Sequence, residues 1–309
     1  MQKTVVGVLR GGPSSEYEIS LKTGQAVLQH LPEEYERHDI LLTKNGLWHI
    51  DGVDTTPQKL HGTVDVIFNA LHGQYGEDGK VQHILEHLKI PYTGSSPFPS
   101  ALAMNKLLAK EHFKKEGIKT PHGLTLTLSQ GEGMNFQGES LPKGEGLSLE
   151  IFRKMSPPWV VKPASAGSSQ GMTIVKLLKD LPEAITKARE HSDQVIVEEF
   201  IRGKEATVAV IDDFRGKKHY TLIPESSSIL TTIEKKALQD IATHIHKTLG
   251  LRHYSDTDFI ISPRGVYVLE TNSQPALHTE ALLPKALHAV GSSYPEFLKH
   301  VINLAIMGV

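Results

Sequence analysis

Apolar positions along this chain fall into two rhythms, short unbroken runs and helix-spaced stripes, and glycine clusters separate them. Thr4 to Leu9 is nearly continuous in apolar residues, the signature of a buried strand. It enters Gly11-Gly12-Pro13-Ser14-Ser15, after which Ile19, Ala26, Val27 and Leu28 follow a helical period. The pattern repeats: the run Val64 to Leu71 ends in His72-Gly73-Gln74-Tyr75-Gly76-Glu77-Asp78-Gly79, and Val81, Ile84, Leu85 and Leu88 then mark a helix. Two strand ends thus deliver glycine-rich loops, where open α/β sheets bind ligands.

Pro97 and Pro99 precede a helix carrying Leu102, Ala103, Lys106, Leu107 and Lys110, which puts a first domain boundary near residue 96. From Leu128 to Pro158 the pattern weakens, and the glycines between 131 and 146 predict a mobile surface excursion outside the core. Trp159 to Pro163 and Thr173 to Lys176 are strands flanking the small-residue loop Ser165 to Met172. Gln194 to Phe200 and Ala206 to Ile211 are two more, separated by Arg202-Gly203-Lys204. Ile233, Ala237, Leu238, Ile241, Ala242, Ile245 and Leu249 predict an amphipathic helix with Thr232 as cap and Gly250 as stop. Phe259 to Ile261 and Val266 to Leu269 flank Ser262-Pro263-Arg264-Gly265 as a hairpin.

The length, 309 residues, is about two domains' worth of chain. A formal charge of -2 gives no general attraction to nucleic acid or an anionic membrane. Cysteine is absent, which excludes disulfides, thiolate-held zinc and a thiol nucleophile. Arg10 breaks the first apolar run, and Val301 to Val309 falls short of the roughly 18 apolar residues of a span. The expectation is a soluble cytoplasmic protein.

The hairpin holds the most informative acids. Glu270 and Asn272 are two apart and share a face, while the short turn brings Asp258 close to opposite Glu270. Three oxygen donors at that spacing suit a nucleotide-bound magnesium, although two acids on the solvated face of a hairpin fit the pattern as well. The loop Ser165 to Met172 can turn backbone N–H groups toward an anion. Gly73 to Lys80 is no Walker loop, having one spacer residue too many and Val81 where Ser or Thr must stand. Lys106 and Lys162 are candidates for neutralising phosphate charge, Lys162 because it closes an apolar strand just before the small-residue loop. Glu198 to Ile201 ends a strand whose exposed backbone could pair with an adenine edge, and Glu205 could accept from ribose hydroxyls. His83 and His87 match the H-x-x-E-H pattern of inverted zinc peptidases, but with 17 histidines in the chain two solvent-facing side chains explain them better.

Taken in order, five segments resemble the D-alanine–D-alanine ligases of the ATP-grasp superfamily. They are Leu9 to Ser20, His72 to Gly79, Ala101 to Lys106, Val161 through Met172, and Glu270 to Pro275. The resemblance covers nearly the whole chain and implies an α/β fold of mixed α+β character. Its architecture would be three-domain ATP-grasp: an N-terminal open parallel-sheet substrate domain at 1–96, a central subdomain at 97–197 and a C-terminal subdomain with the metal site at 198–309. The implied reaction is attack of a carboxylate on the ATP γ-phosphate, then displacement of the acyl phosphate by an amine to give a dipeptide for peptidoglycan. By motif position Lys106, Lys162, Ser168 and Ser169 would hold phosphates, and Glu198, Phe200 and Glu205 the nucleoside. Asp258, Glu270 and Asn272 would hold Mg2+, with Mn2+ as substitute. Glu16 would receive the first substrate's ammonium, with His72 and Ser168 beside it and Leu282 at the substrate, so Glu16 and Ser168 count as catalytic. The implied partners are small amino acids, with no nucleic acid or membrane, in a cytoplasmic homodimer.

The acceptor half departs from the family. Asp256 stands where the family carries Arg, Ala276 where it carries Gly, and Ala281 where a serine contacts the incoming carboxylate. Pro224 to Ser228 passes directly to Ile229 and the next helix, without the family's long Lys-Tyr lid loop. Asp256 and nearby Glu280 would repel a carboxylate. Two alternatives therefore stand beside D-alanine dipeptide synthesis: a ligase with a different amine acceptor, and a non-catalytic ATP-binding relative.

Overall fold

A computed structural model describes residues 3–128, 134–136, 139–141, 145–165, 167 and 170–308. The chain forms two compact units, one from Met1–Met104, Glu205–Phe259 and Glu270–Val309, the other from Asn105–Lys204 and Ile260–Leu269.

The first unit opens with β1 (Thr4–Gly11), α1 (Tyr17–His30), β2 (Tyr35–Leu42), β3 (Trp48–Ile50), β4 (Val53–Thr55) and β5 (Val66–Asn69), in the sheet order β4-β3-β2-β1-β5. β1 is central and parallel to both β2 and β5, so Val6, Val8 and Leu9 are fully buried, which is why the strand reads as an unbroken apolar run. The antiparallel pairs β2–β3 and β3–β4 extend one edge. At the end of β1 the backbone of Gly11 takes φ +93, and a Cβ there would lie 2.2 Å from the Leu42 carbonyl oxygen, so only glycine fits. α2 (Lys80–His87) follows the second glycine loop.

The helix expected after Pro97 is two helices, α3 (Pro97–Met104) and α4 (Lys106–Lys115). Asn105 breaks them: its backbone is extended and its side chain accepts from the N–H groups of Leu107 and Leu108. A short polar side chain that satisfies two orphan donors favours a cap over a helix interior. Asn105→Ala is expected to destabilise the second unit by about 1 kcal/mol in urea denaturation.

The second unit contains α4, β6 (Gly123–Leu128), β7 (Met134–Phe136), β8 (Glu139–Leu141), α5 (Glu145–Lys154), β9 (Trp159–Pro163), β10 (Thr173–Val175), α6 (Leu181–Arg189) and β11 (Gln194–Glu199). Its sheet runs β10-β9-β11-β6-β7-β8, each pairing antiparallel. Of the glycine stretch 131–146, expected as a mobile surface excursion, residues 131–133, 137, 138 and 142–144 lie outside the described residues, and the chain that follows it is core. Leu147, Ile151 and Met155 recur every four residues and bury one face of the α5 segment against Trp159, Val161 and Ile185. Glycine content masked that stripe.

After β11 come β12 (Lys204–Phe214), β13 (Lys217–Thr221), α7 (Thr232–Thr248), β14 (Tyr254–Ser262), β15 (Gly265–Asn272), α8 (Leu282–Ala289) and α9 (Tyr294–Met307), the strands ordered β13-β12-β14-β15; Lys204 and Ile260–Leu269 belong to the second unit and the rest to the first. The cap of α7 is Thr231, one residue earlier than expected. It forms a reciprocal box with Glu234, which Thr232 cannot do with Lys235. Phe297, Val301 and Ile302 of α9 pack with Val6, Val8 and Phe68 of the first sheet and Ile211 of the last in one core. No helix among the described residues is long and apolar enough to cross a membrane.

Candidate functional site

In the first unit the two glycine loops meet. The loop after β1 places Glu16 at the start of α1, buried, with its N–H bonded to Ser14 Oγ. Ser14 Oγ in turn donates to the His72 carbonyl at 2.6 Å. His72 is 3% exposed, its Nε2 lying 2.9 Å from Thr23 Oγ1 and its Nδ1 3.3 Å from Glu77 Oε1. Glu77 also accepts from the Gly73 N–H. A Cβ at Gly73 would lie 3.0 Å from Glu16 Oε1, so glycine lets the second loop run against the carboxylate. Glu16 and His72, expected together, are together; Thr23 and Glu77, which fix the imidazole from both sides, were not anticipated.

The same unit carries the acids of β14 and β15. Thr257 and Thr271 hydroxyls bond across the pair at 3.0 Å, and Asn272 Nδ2 donates to Asp256 Oδ1 at 2.9 Å. These contacts set Asp258 opposite Glu270, so Asp256, Asp258, Glu270 and Asn272 share one face and the threonines the other. The expected convergence of Asp258, Glu270 and Asn272 on one face is present. Thr207 Oγ1 donates to Asp258 Oδ1 at 2.6 Å, and because Asn272 uses its amide nitrogen on Asp256, its Oδ1 is left as an oxygen donor. Burial, then Asp258, then Glu270 and Glu77 push the Asp256 carboxyl well above the usual carboxylate range, so its neutral acid form is favoured. Acids crowded on one strand face with an amide oxygen beside them are the donor set that a hard divalent cation relieves, and the residues fit magnesium.

The segment after β15 ties these acids back to the first sheet. Asn69 Nδ2 donates to Gln274 Oε1 at 2.9 Å, Gln274 Nε2 donates to the Asn69 carbonyl, and the Leu277 N–H reaches Thr23 Oγ1 at 3.4 Å. Leu282, at the start of α8, is 45% exposed, while Ala281 before it is buried. Glu205 and Glu280 are exposed. Between β13 and α7 the chain takes the short path 222–231, held by paired backbone bonds between Thr207 and Glu225 at 2.9 Å.

In the second unit Lys162 is 7% exposed on β9, and its ammonium lies 2.8 Å from Glu198 Oε2 on the neighbouring β11. Glu198, 2% exposed, also accepts from the buried Lys110 of α4, which donates to the Pro121 carbonyl as well. Lys110 was missed, for it reads as one more helix lysine. Burial works against the Glu198 charge, but Lys162 and then Lys110 outweigh it and hold the carboxyl below its usual range. Burial pulls the Lys110 ammonium down more than Glu198 lifts it. The Lys106 N–H donates to the Ala164 carbonyl, joining the start of α4 to the end of β9. Phe200, half-buried, donates its N–H to the Pro158 carbonyl. Ser168 and Ser169 lie outside the described residues. His83, Glu86 and His87 are all exposed on α2, and among the described residues no third ligand joins them.

The family model for the D-ala D-ala ligase N-terminus matches residues 51–95, and that for the C-terminus matches 126–226 and 221–303. The D-alanine–D-alanine ligase of Desulforamulus reducens is 34% identical, with 97% of this chain and 98% of that protein aligned. The alignment, at 327 positions, is longer than this chain, so the relative carries residues without a counterpart here. The two matches to the C-terminal model overlap at 221–226, on the short path between β13 and α7. The VanG D-Ala:D-Ser ligase from Enterococcus faecalis superposes with a TM-score of 0.83 at 26% identity, covering 98% of this chain and all of that one. The Bacillus anthracis D-alanine–D-alanine ligase complexed with ATP gives 0.79 at 28%, covering 99% and 97%.

Proposed function

This chain belongs to the D-alanine–D-alanine ligase family, and from that premise we propose how its residues divide the work of the reaction. The activity is ATP-dependent ligation of two amino acids into a dipeptide for cell-wall synthesis, with ATP converted to ADP and phosphate. Glu16 holds the ammonium of the first D-alanine, and His72, steadied by Thr23 and Glu77, faces the same substrate. The substrate carboxylate attacks the γ-phosphorus, the bond to the ADP oxygen breaks, and the acyl phosphate forms. The second amine then attacks the acyl carbon and phosphate leaves.

Lys106, Lys162, Ser168 and Ser169 bind phosphates, and Glu198, Phe200 and Glu205 bind the nucleoside. Asp258, Glu270 and Asn272 hold Mg2+, or Mn2+ in its place; when bound, that cation supplies charge neutralisation on the phosphates. Leu282 borders the substrate. The three-part division at 96 and 197, a homodimer and a cytoplasmic location belong to the same proposal. What supports the assignment most is Gln274, two residues past Asn272: it bonds to Asn69 at the end of β5, just before the His72 loop, so substrate and metal residues share one unit.

A second reading, a different acceptor amine, is favoured by Asp256 on the acid face where the family carries Arg. The test is ADP release with ATP, Mg2+ and D-alanine alone, then with a panel of amines added. ADP matched one to one by D-alanyl-D-alanine supports dipeptide synthesis, and ADP only with another amine supports the altered acceptor. ATP bound but never turned over with any acceptor overturns the ligase reading.

A further inference from the structure

Outside the acids and loops described above, three side chains that no ligation step uses converge on one point of the first unit. Asp212 of β12 and His219 of β13 are cross-strand partners, and His219 Nδ1 lies 2.8 Å from Asp212 Oδ1. His246 of α7 comes in from a third element, with Nε2 3.1 Å from the same oxygen. The three ligand atoms lie within 4.8 Å of one another. Ligands arranged tetrahedrally on a zinc with bonds of about 2.0–2.1 Å stand roughly 3.3 Å apart, so small side-chain rotations open the cluster to that spacing.

The surroundings are those of a held ligand set. His246 is fully buried, and its Nδ1 is hydrogen-bonded to Ser255 Oγ at 2.7 Å, which turns Nε2 toward the cluster. That Nε2, although near Asp212, has no aligned hydrogen-bond partner. An orphaned ring nitrogen in a buried position is costly unless something else binds it. The other Asp212 oxygen accepts from the His253 N–H at 2.8 Å, which fixes the carboxylate plane. Both features are outer-shell devices that orient metal ligands. β13 is the edge strand of its sheet and the His219 side chain is 20% exposed, which provides an entry path and room for a water as fourth ligand.

We propose that Asp212, His219 and His246 form a zinc site that clamps α7 onto β12 and β13, separate from the magnesium donors of β14 and β15. Two imidazoles and one carboxylate are a borderline set that suits zinc better than the hard cations held by oxygen alone. In the apo protein the Asp212 carboxylate is paired with His219 Nδ1 alone, and His246 Nε2 lies beside it without an aligned bond.

The test uses the full-length chain stripped with a chelator and dialysed against Zn2+ without nucleotide, followed by elemental analysis and thermal melting. One zinc per chain and a raised melting temperature are expected for the wild type, and both persist in Glu270→Gln and His87→Ala. Both are lost in His219→Ala, whose partly exposed position makes folding the easier requirement to meet, and in Asp212→Asn. Replacing Zn2+ by Co2+ gives a visible absorption band that His219→Ala abolishes. No zinc retained by the wild type, or equal zinc retained by His219→Ala, overturns the site; in the first case the cluster is a hydrogen-bonded knot, and in the second the metal sits elsewhere, with His83 and His87 the first place to look. Ligase activity does not enter either outcome, so failure here and failure of the ligase reading are distinguishable.

Discussion

Glu270→Gln is expected to lower the rate of ADP formation by about 10²–10³-fold while leaving the melting temperature nearly unchanged. The change keeps the side-chain volume and one oxygen and removes a charge, so what it tests is charge at the metal donors. Glu270 faces Asp258 on the acid face and sits close enough to Asp256 to raise that carboxyl. A cation that must balance phosphate charge as the γ-phosphoryl group transfers loses part of its hold if one carboxylate becomes an amide. Groups aimed at charge developing in a transition state are each worth about 10²–10³ in rate. The variant should also need more Mg2+ for half-maximal turnover, which a structural role would not produce. Glu183→Gln, at an exposed position on α6, is the control with no expected effect. Steady-state release of ADP against Mg2+ concentration measures both quantities, and wild-type turnover with an unchanged metal requirement would remove Glu270 from the metal set.

That Glu270 could be singled out from sequence follows from the period of two in a strand. Glu270 and Asn272 must share a face, and a short turn must bring Asp258 near them, whatever the rest of the fold does. β1 was equally legible because a central parallel strand is buried on both faces and leaves an unbroken apolar run from Thr4 to Leu9. Legibility ended where a contact depends on elements far apart in the chain. Lys110, Lys162 and Glu198 come from α4, β9 and β11, and no local spacing announces that they meet. Asp212, His219 and His246 meet across a hairpin and a helix for the same reason. Asn105 is hidden in the sequence for a different cause. Its neighbours keep the helical stripe going, and only the backbone shows that the side chain captures two N–H groups and ends one helix to begin the next. The α5 segment shows the converse, glycines drawing attention away from the four-residue recurrence of Leu147, Ile151 and Met155.

Glu198→Ala should destabilise the second unit by about 3–5 kcal/mol, the usual consequence of removing one partner from a buried ion pair, because two ammonium groups then remain in a site with little water. Lys162 is 7% exposed and Lys110 6%, so neither can recover solvation without the local fold opening. The pH dependence separates this from lost packing. In the wild type the Glu198 carboxyl is held below its ordinary value of 4.5, so its contribution is fully present above that pH and fades as pH falls through the lower folded value. The alanine variant has no such contribution to lose, and its deficit therefore narrows in acid. At the alkaline end Lys110 is already held below 10.5 by burial, and without Glu198 it falls further. Deprotonating it then relieves the orphaned charge, and the deficit narrows again as pH rises toward 10.5. Urea denaturation across pH, followed by the fluorescence of buried Trp159 in a Trp48→Phe background, should therefore give a deficit largest near neutrality and smaller on both sides. A deficit independent of pH would mean that Glu198 serves through volume alone, and would remove the charge balance of Lys110, Glu198 and Lys162 from the account of how this unit holds Lys162 in place.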